Sequence, residues 1–296
     1  MQTPPYLKQG DTLGIIAPAR KISREELAPA MDTFRSWGLK VKTGANLFGS
    51  CNQYSGTDEQ RLSDLQDMLD DPSVNAIISA RGGYGTLRIA DRIDFSRFHK
   101  SPKWIVGYSD ITVLHSLIHA EGFESLHATM PVSFTKDKES VESLRKALFG
   151  EAQRYAMNPH ELNKPGRASA PLIGGNLSLI YSMAGGKDDL DTKGKILFLE
   201  DLDEYLYHVD RMMMNLKRAG KLDKLAGLVV GGMTDMKDNS IPFGKTAEEI
   251  IYDAVKEYDY PVCFGLPAGH TARNMALFLG RIAQLAAGET PSLSFL

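Results

Sequence analysis

The chemistry this chain can do is concentrated in a few short segments. GYSD (residues 107–110) places Ser109 where an apolar run gives way to a helical pattern. A serine on so sharp a turn projects its hydroxyl. The first amides of the following helix have no intrahelical partner and can hold a developing oxyanion. This is the logic of a nucleophile elbow, although Ile111 breaks the usual GxSxG spacing. An ordinary helix cap explains the same Ser and Asp equally simply. RGGYGT (residues 81–86) is a glycine-rich loop after another apolar run. Its glycines allow close backbone approach to a ligand, and an N–H there can face the elbow. It lacks the lysine of a P-loop and the spacing of a dinucleotide fingerprint, and a tight turn alone would also use these glycines.

A base and an acid are also available. His270 follows the loop-like LPAG (residues 266–269), at the end of an apolar run, where a general base can be aimed at a nucleophile on another element. Glu200 ends KILFLE (residues 195–200) and would share a strand face with Ile196 and Phe198. A carboxylate on an apolar face needs a partner, and an imidazole N–H is a suitable one. The neighbouring Asp201, Asp203 and Glu204 also fit a solvated acidic loop that helps the next helix start. His115 and His119 have the i, i+4 spacing of a zinc pair, but HSLIH lacks the glutamate of HExxH and no third ligand is evident. His127, in LHATM, reads as a core histidine.

These residues need elements to hold them. Short apolar runs at residues 13–19, 76–80 and 103–109 alternate with helical patterns. Capping boxes at Ser23/Glu26 and Thr57/Gln60 open two of the helices. Strands without polar alternation, joined by helices, predict a parallel sheet covered on both faces in an α/β domain over residues 1–150. Pro159, Pro165, Asn158, Asn163 and Gly166 predict a linker over 151–166. Residues 167–296 read as a second, barrel-like α/β domain. It would contain helices near 205–219 and 245–257 and a terminal strand pair near 276–278 and 281–286.

The chain has 296 residues, 34 Lys plus Arg against 37 Asp plus Glu, and a net charge of −3. That balance argues against a broad nucleic-acid-tracking surface. Cys51 and Cys263 cannot build a disulfide framework. No apolar stretch approaches the roughly 20 residues of a membrane helix, and the N-terminus lacks a signal pattern, so a reducing intracellular compartment is expected.

Taken in chain order, LKQGDTLGIIAPA, ARGGYGT, IVGYSD, LIGGNL, FLEDLDE and GLPAGHT resemble the LD-carboxypeptidase family of serine peptidases. This is the S66 group, which includes the microcin C self-immunity peptidases. The resemblance implies an N-terminal doubly wound parallel sheet with a C-terminal barrel-like domain, and a Ser–Glu–His triad of Ser109, Glu200 and His270. It implies an oxyanion hole from the N–H of Asp110 and one N–H of the Gly82–Gly83 turn. Activity on murein-derived peptides, a cytosolic homodimer, and no need of metal, nucleotide, nucleic acid or membrane follow from the same likeness. A carboxypeptidase must also hold the substrate's free carboxylate. Arg81 and Arg273 are candidates for that clamp, and a surface ion pair is the plainer use of each. A microcin-type peptidyl-nucleotide substrate is the alternative, although no aromatic pair dedicated to one is evident in the sequence. A non-catalytic anion binder is another alternative. The glycine loop faintly resembles the GGDGT loop of NAD and lipid kinases, but Tyr84 replaces its aspartate.

Overall fold

The computed structural model describes residues 1–296. The chain divides into two compact units. One comprises Met1–Ala152 with Met275–Phe278, the other Gln153–Asn274 with Leu279–Leu296.

The first unit contains β1 (Thr12–Ile16), α1 (Arg24–Ser36), β2 (Lys40–Thr43), α2 (Asp58–Asp70), β3 (Ala76–Ser79), α3 (Leu87–Ala90), β4 (Trp104–Gly107), α4 (Thr112–Ala120), β5 (Ser125–His127) and α5 (Lys138–Leu148). Strands β2, β1, β3, β4 and β5 pair in parallel in that spatial order. β3 and β4 are buried along their whole length, and β1 in all but its first residue. The sheet is therefore covered on both faces, as the continuous apolar runs require. Both predicted capping boxes are formed, at Ser23 and at Thr57. β2, KVKT, alternates exposed and half-buried positions at the sheet edge, and this polarity hid it from apolar periodicity.

The second unit contains β6 (Arg154–Ala156), β7 (Gly166–Asn176), α6 (Leu177–Met183), β8 (Ile196–Leu202), α7 (Leu206–Arg218), β9 (Gly227–Thr234), α8 (Ala247–Val255) and β10 (Val262–Phe264). β11 (Leu277–Leu279) comes next in the chain, followed by β12 (Ile282–Ala287) and β13 (Ser292–Phe295), which complete this unit. Its seven-stranded sheet runs β10-β9-β8-β7-β12-β13-β6. The β10, β9, β8, β7 portion is parallel, and the β7, β12, β13, β6 portion is antiparallel. A backbone bridge between Lys164 and Val262 ties the segment before β7 to the far edge strand β10, so the sheet curls on itself in a barrel-like manner. No helix is long and apolar enough to cross a membrane.

Two boundaries differ from the sequence reading. The stretch read as linker contains β6, because Tyr155 is buried while Arg154 and Ala156 are exposed on this three-residue edge strand. The turn residues around it masked that alternation. The expected terminal strand pair is split. β11 adds to the first sheet beside β5, and β12 pairs with β13 and β7. The burial patterns explain the split. Leu277, Phe278 and Leu279 are all buried, as a strand covered on both faces must be, whereas β12 begins with alternating exposed and buried residues. Phe278 packs against Trp104 with ring centroids 5.7 Å apart.

Removing that anchor tests the split. Phe278→Ala is expected to cost about 3–5 kcal/mol, read as a lowered urea midpoint with the far-ultraviolet circular dichroism of the native state retained.

Candidate active site

In the first unit, β4 delivers Ser109 in the left-handed region, at φ 64°. A helix cap would have extended backbone there. Neither the 3-10 turn Ser109–Ile111 nor α4 carries a side-chain cap bond. The capping explanation is therefore removed, and a strained strand-to-helix turn takes its place. Ser109 keeps 9% of its surface exposed.

Three buried groups hold this turn and the glycine loop together. Asp110 Oδ2 accepts from the Thr86 N–H at 2.8 Å, joining the end of the loop to the elbow. Burial pushes the Asp110 carboxyl above its ordinary range, against the pull of that bond. Arg61, fully buried on α2, donates to the carbonyls of Pro18 and Gly85 and pairs with Asp58. His115 donates Nε2–H to the Gly107 carbonyl at 2.9 Å and accepts from the Ser125 hydroxyl at Nδ1, also at 2.9 Å. The tautomer follows from the carbonyl's need for a donor. Burial lowers His115 to about 4, so it stays neutral, and its two ring nitrogens tie the elbow at Gly107 to the start of β5 at Ser125. No group of three or more His, Cys, Asp or Glu side chains is placed to hold a metal ion.

Gly82 lies against the serine. A Cβ there would stand 3.1 Å from Ser109 Cβ and 3.3 Å from Oγ, so a side chain would crowd the hydroxyl. The Gly82 carbonyl accepts from the Arg20 N–H at 3.3 Å, and Gly83 packs on Arg20. Arg81 pairs with Glu26 at 3.2 Å, the same glutamate that closes the α1 capping box. Tyr84, half exposed on this loop, lies 6.4 Å from Tyr54 between ring centroids. An aromatic pair thus stands beside the glycine loop.

In the second unit, Glu200 is completely buried near the end of β8. Its Oε2 accepts from His270 Nδ1 at 2.7 Å and from the His270 backbone N–H at 3.1 Å. The predicted acid–imidazole partnership is therefore present. Glu200 sits opposite two residues of β9, because the ladder jumps from Leu199↔Val230 to Asp201↔Met233. This bulge falls at Gly231–Gly232, and a Cβ on Gly231 would come within 2.4 Å of the Ala268 carbonyl. The loop bearing His270 thus lies directly on β9. Gly269 has φ 94°, and a Cβ there would fall 2.6 Å from Glu200 Oε2. Only glycine lets the loop come this near. Asn274 Oδ1 accepts from the Gly269 N–H at 2.8 Å, and Thr234 Oγ1 donates to the His270 carbonyl at 2.7 Å.

Burial is the largest single influence on His270 and opposes its charged form. The hydrogen bond and charge of Glu200, with the charge of Asp201, together outweigh it and raise His270 above its ordinary value. With Nδ1–H committed to Glu200, Nε2 is the nitrogen that can take a proton. The rest of the acidic cluster divides. Asp201 is buried, whereas Asp203 pairs with Lys237 at 2.7 Å and Glu204 with His208 at 2.6 Å. Arg273 is exposed.

Comparisons with known proteins agree with this architecture. Two family profiles match, the LD-carboxypeptidase N-terminal domain over residues 13–128 and the LD-carboxypeptidase C-terminal domain over residues 169–285. The chain is 37% identical to the probable murein peptide carboxypeptidase of Bacillus subtilis, covering 97% of this chain and 92% of that protein. The fold is similar to that of the muramoyltetrapeptide carboxypeptidase from Oxalobacter formigenes, with TM-score 0.88, 27% identity and coverage of 96% and 98%. It is also similar to that of the microcin C7 self-immunity protein MccF, with TM-score 0.88, 20% identity and coverage of 99% and 98%.

The glycine between acid and base gives a direct test. Gly269→Ala is expected to displace the loop and break the 2.7 Å bond, lowering kcat/KM about 100-fold or more and lowering the thermal midpoint as well, because the buried Glu200 loses its partner. Steady-state kinetics and a melting curve on the same preparation would check it.

Proposed function

The chain belongs to the LD-carboxypeptidase family of serine peptidases, and on that premise we propose that Ser109, Glu200 and His270 hydrolyse the bond between an L-residue and the terminal D-alanine of murein tetrapeptides. The enzyme is a serine-type carboxypeptidase, a hydrolase. The observation that carries the assignment of residues is the 2.7 Å bond from His270 Nδ1 to the buried Glu200. It fixes the imidazole tautomer and leaves a basic Nε2, as a general base requires.

In this mechanism His270 Nε2 takes the Ser109 proton as Oγ attacks the scissile carbonyl. Glu200 orients the ring and stabilises the imidazolium. The N–H of Asp110 and one N–H of the Gly82–Gly83 turn receive the oxyanion. The proton passes to the departing amine of D-alanine as the C–N bond breaks. Water, deprotonated by His270, then hydrolyses the Ser109 ester. A positioned base contributes roughly 10²–10⁴-fold and one oxyanion donor about 10²–10³-fold. Arg81 and Arg273 are assigned to the terminal carboxylate, and binding would require Arg81 to exchange Glu26 for substrate. On the family resemblance, we place the enzyme in the cytosol as a homodimer that takes up murein-derived peptide.

A microcin-type substrate is a second reading, favoured by the Tyr54–Tyr84 pair beside the glycine loop. The two readings separate in one assay. A murein tetrapeptide and an acyl-sulfamoyl adenylate are incubated in parallel and followed by mass spectrometry. Loss of a single D-alanine from the tetrapeptide, with the adenylate intact, is the expected result. Cleavage of the adenylate alone would reverse the assignment.

Ser109→Ala is expected to lower turnover by at least about 10⁴-fold while peptide still binds. Near wild-type turnover would remove Ser109 as nucleophile. The pH profile has a determined sign. His270 must be neutral to act as base, and its site raises its pKa above the ordinary 6.5. The acid limb of kcat/KM is therefore expected to bend above pH 6.5, with activity lost as pH falls through that point. A profile flat from pH 5 to 8 would exclude His270 as base.

A further inference from the structure

Glu200 and Asp201 are consecutive residues of β8, buried to 0% and 1% exposure. Consecutive strand residues project to opposite faces, so the two carboxylates face different partners. Glu200 meets His270. Asp201 Oδ1 accepts from Asn176 Nδ2 at 2.8 Å and from the Leu202 N–H at 2.9 Å, and Oδ2 accepts from the Ser178 N–H at 2.9 Å. Asn176 is itself fixed. It pairs with Glu200 in the β7–β8 ladder, and its Oδ1 accepts from the Leu179 N–H and the Ser178 hydroxyl at the start of α6. On the other side of β8 the bulge interrupts regular pairing between Leu199 and Asp201. Side-chain bonds of Asp201 thus hold the strand where backbone pairing is irregular.

For the fold alone this is a costly arrangement. Two adjacent buried carboxylates repel, and each loses its hydration. We propose that Asp201 is a positioning residue of the reaction: it fastens the Glu200 end of β8 to the first turn of α6, and its charge tunes the basicity of His270. The proposal deepens the reading of His270 as general base and rests on it.

The charges around the pair are few. Glu200 comes from β8 and His270 from the loop after β10. The β7–α6 junction presents only neutral Asn176 and Ser178, and β9 presents Met233 opposite Asp201. Burial first, then the Glu200 charge, push the Asp201 carboxyl up to about 7 against its three hydrogen bonds. Its ionised form in turn favours the imidazolium of His270. Protons on Asp201 and His270 are therefore linked near neutral pH, and their titrations belong to the pair.

Asp201→Asn tests both halves. The charge is lost while the shape is kept. The His270 titration, followed by proton NMR of its ring in a Ser109→Ala background, is expected to move down by on the order of half to one pH unit. The acid limb of kcat/KM in the otherwise wild-type enzyme should move down with it, together with a fall in kcat at the plateau. Asn176→Ala, which removes one donor from Asp201 but keeps its carboxylate, should shift the NMR titration the same way by less. This variant keeps the test open should Asp201→Asn fail to fold. An unmoved His270 titration in a folded variant would overturn the tuning role and leave Asp201 as structural only. If the NMR shift appears but the activity limb does not follow, the coupling stands and the reading of His270 as base fails instead.

Discussion

A carboxylate with no solvent exposure must be held by groups nearby, and in this chain the Oε2 of Glu200 is held by the imidazole and the backbone N–H of His270, while its Oε1 has no hydrogen-bond partner. Much of the local design of the second unit follows from that requirement. The loop after β10 must descend onto β8, so Gly269 gives up its side chain at the point of approach. β9 must make room, so it bulges at Gly231–Gly232. Thr234 and Asn274 then hold the loop by its backbone. The geometry is set by packing and hydrogen bonds before any substrate arrives, which is what preorganised catalysis asks of a scaffold.

The first unit solves a parallel problem with different tools. The backbone at Ser109 is held in a conformation that costs on the order of 1–3 kcal/mol for a residue with a side chain. The surroundings over-determine it. His115 grips the carbonyl two residues before the serine, and Asp110 grips the glycine loop. Arg61 holds the far end of that loop from beneath. None of these three touches a reacting atom with its side chain, yet each limits where the hydroxyl can point.

What the sequence disclosed and what it withheld divide along the range of the interactions. The placement of Ser109, Glu200 and His270 at or just beyond strand ends was legible because each closes or follows a run of apolar residues. The parallel core of the first sheet was legible for the same reason, whereas the parallel portion of the second sheet was not. The role of His115 was hidden, since the i, i+4 spacing argued against metal without pointing to its acceptor at Gly107 or its donor at Ser125. Arg61 reads locally as a surface position on an amphipathic helix. Its acceptors at Pro18 and Gly85 lie 43 and 24 residues away, beyond any periodic pattern. β7 contains Pro171 and three glycines, so turn chemistry masked an eleven-residue strand. The sign of φ at Ser109 leaves no trace in residue type.

The return of Met275–Phe278 to the first unit has a bearing on how the polypeptide is made. A ribosome releases the N-terminal strands long before it delivers β11, so the flank of β5 stays uncovered throughout synthesis of Gln153–Asn274, which is most of the other unit. During that interval a bare strand flank is open to pairing with neighbouring nascent chains, a hazard such edges carry generally. Completion of the first sheet must wait for the segment that follows Asn274, and a polypeptide cut before Met275 lacks the strand that closes it.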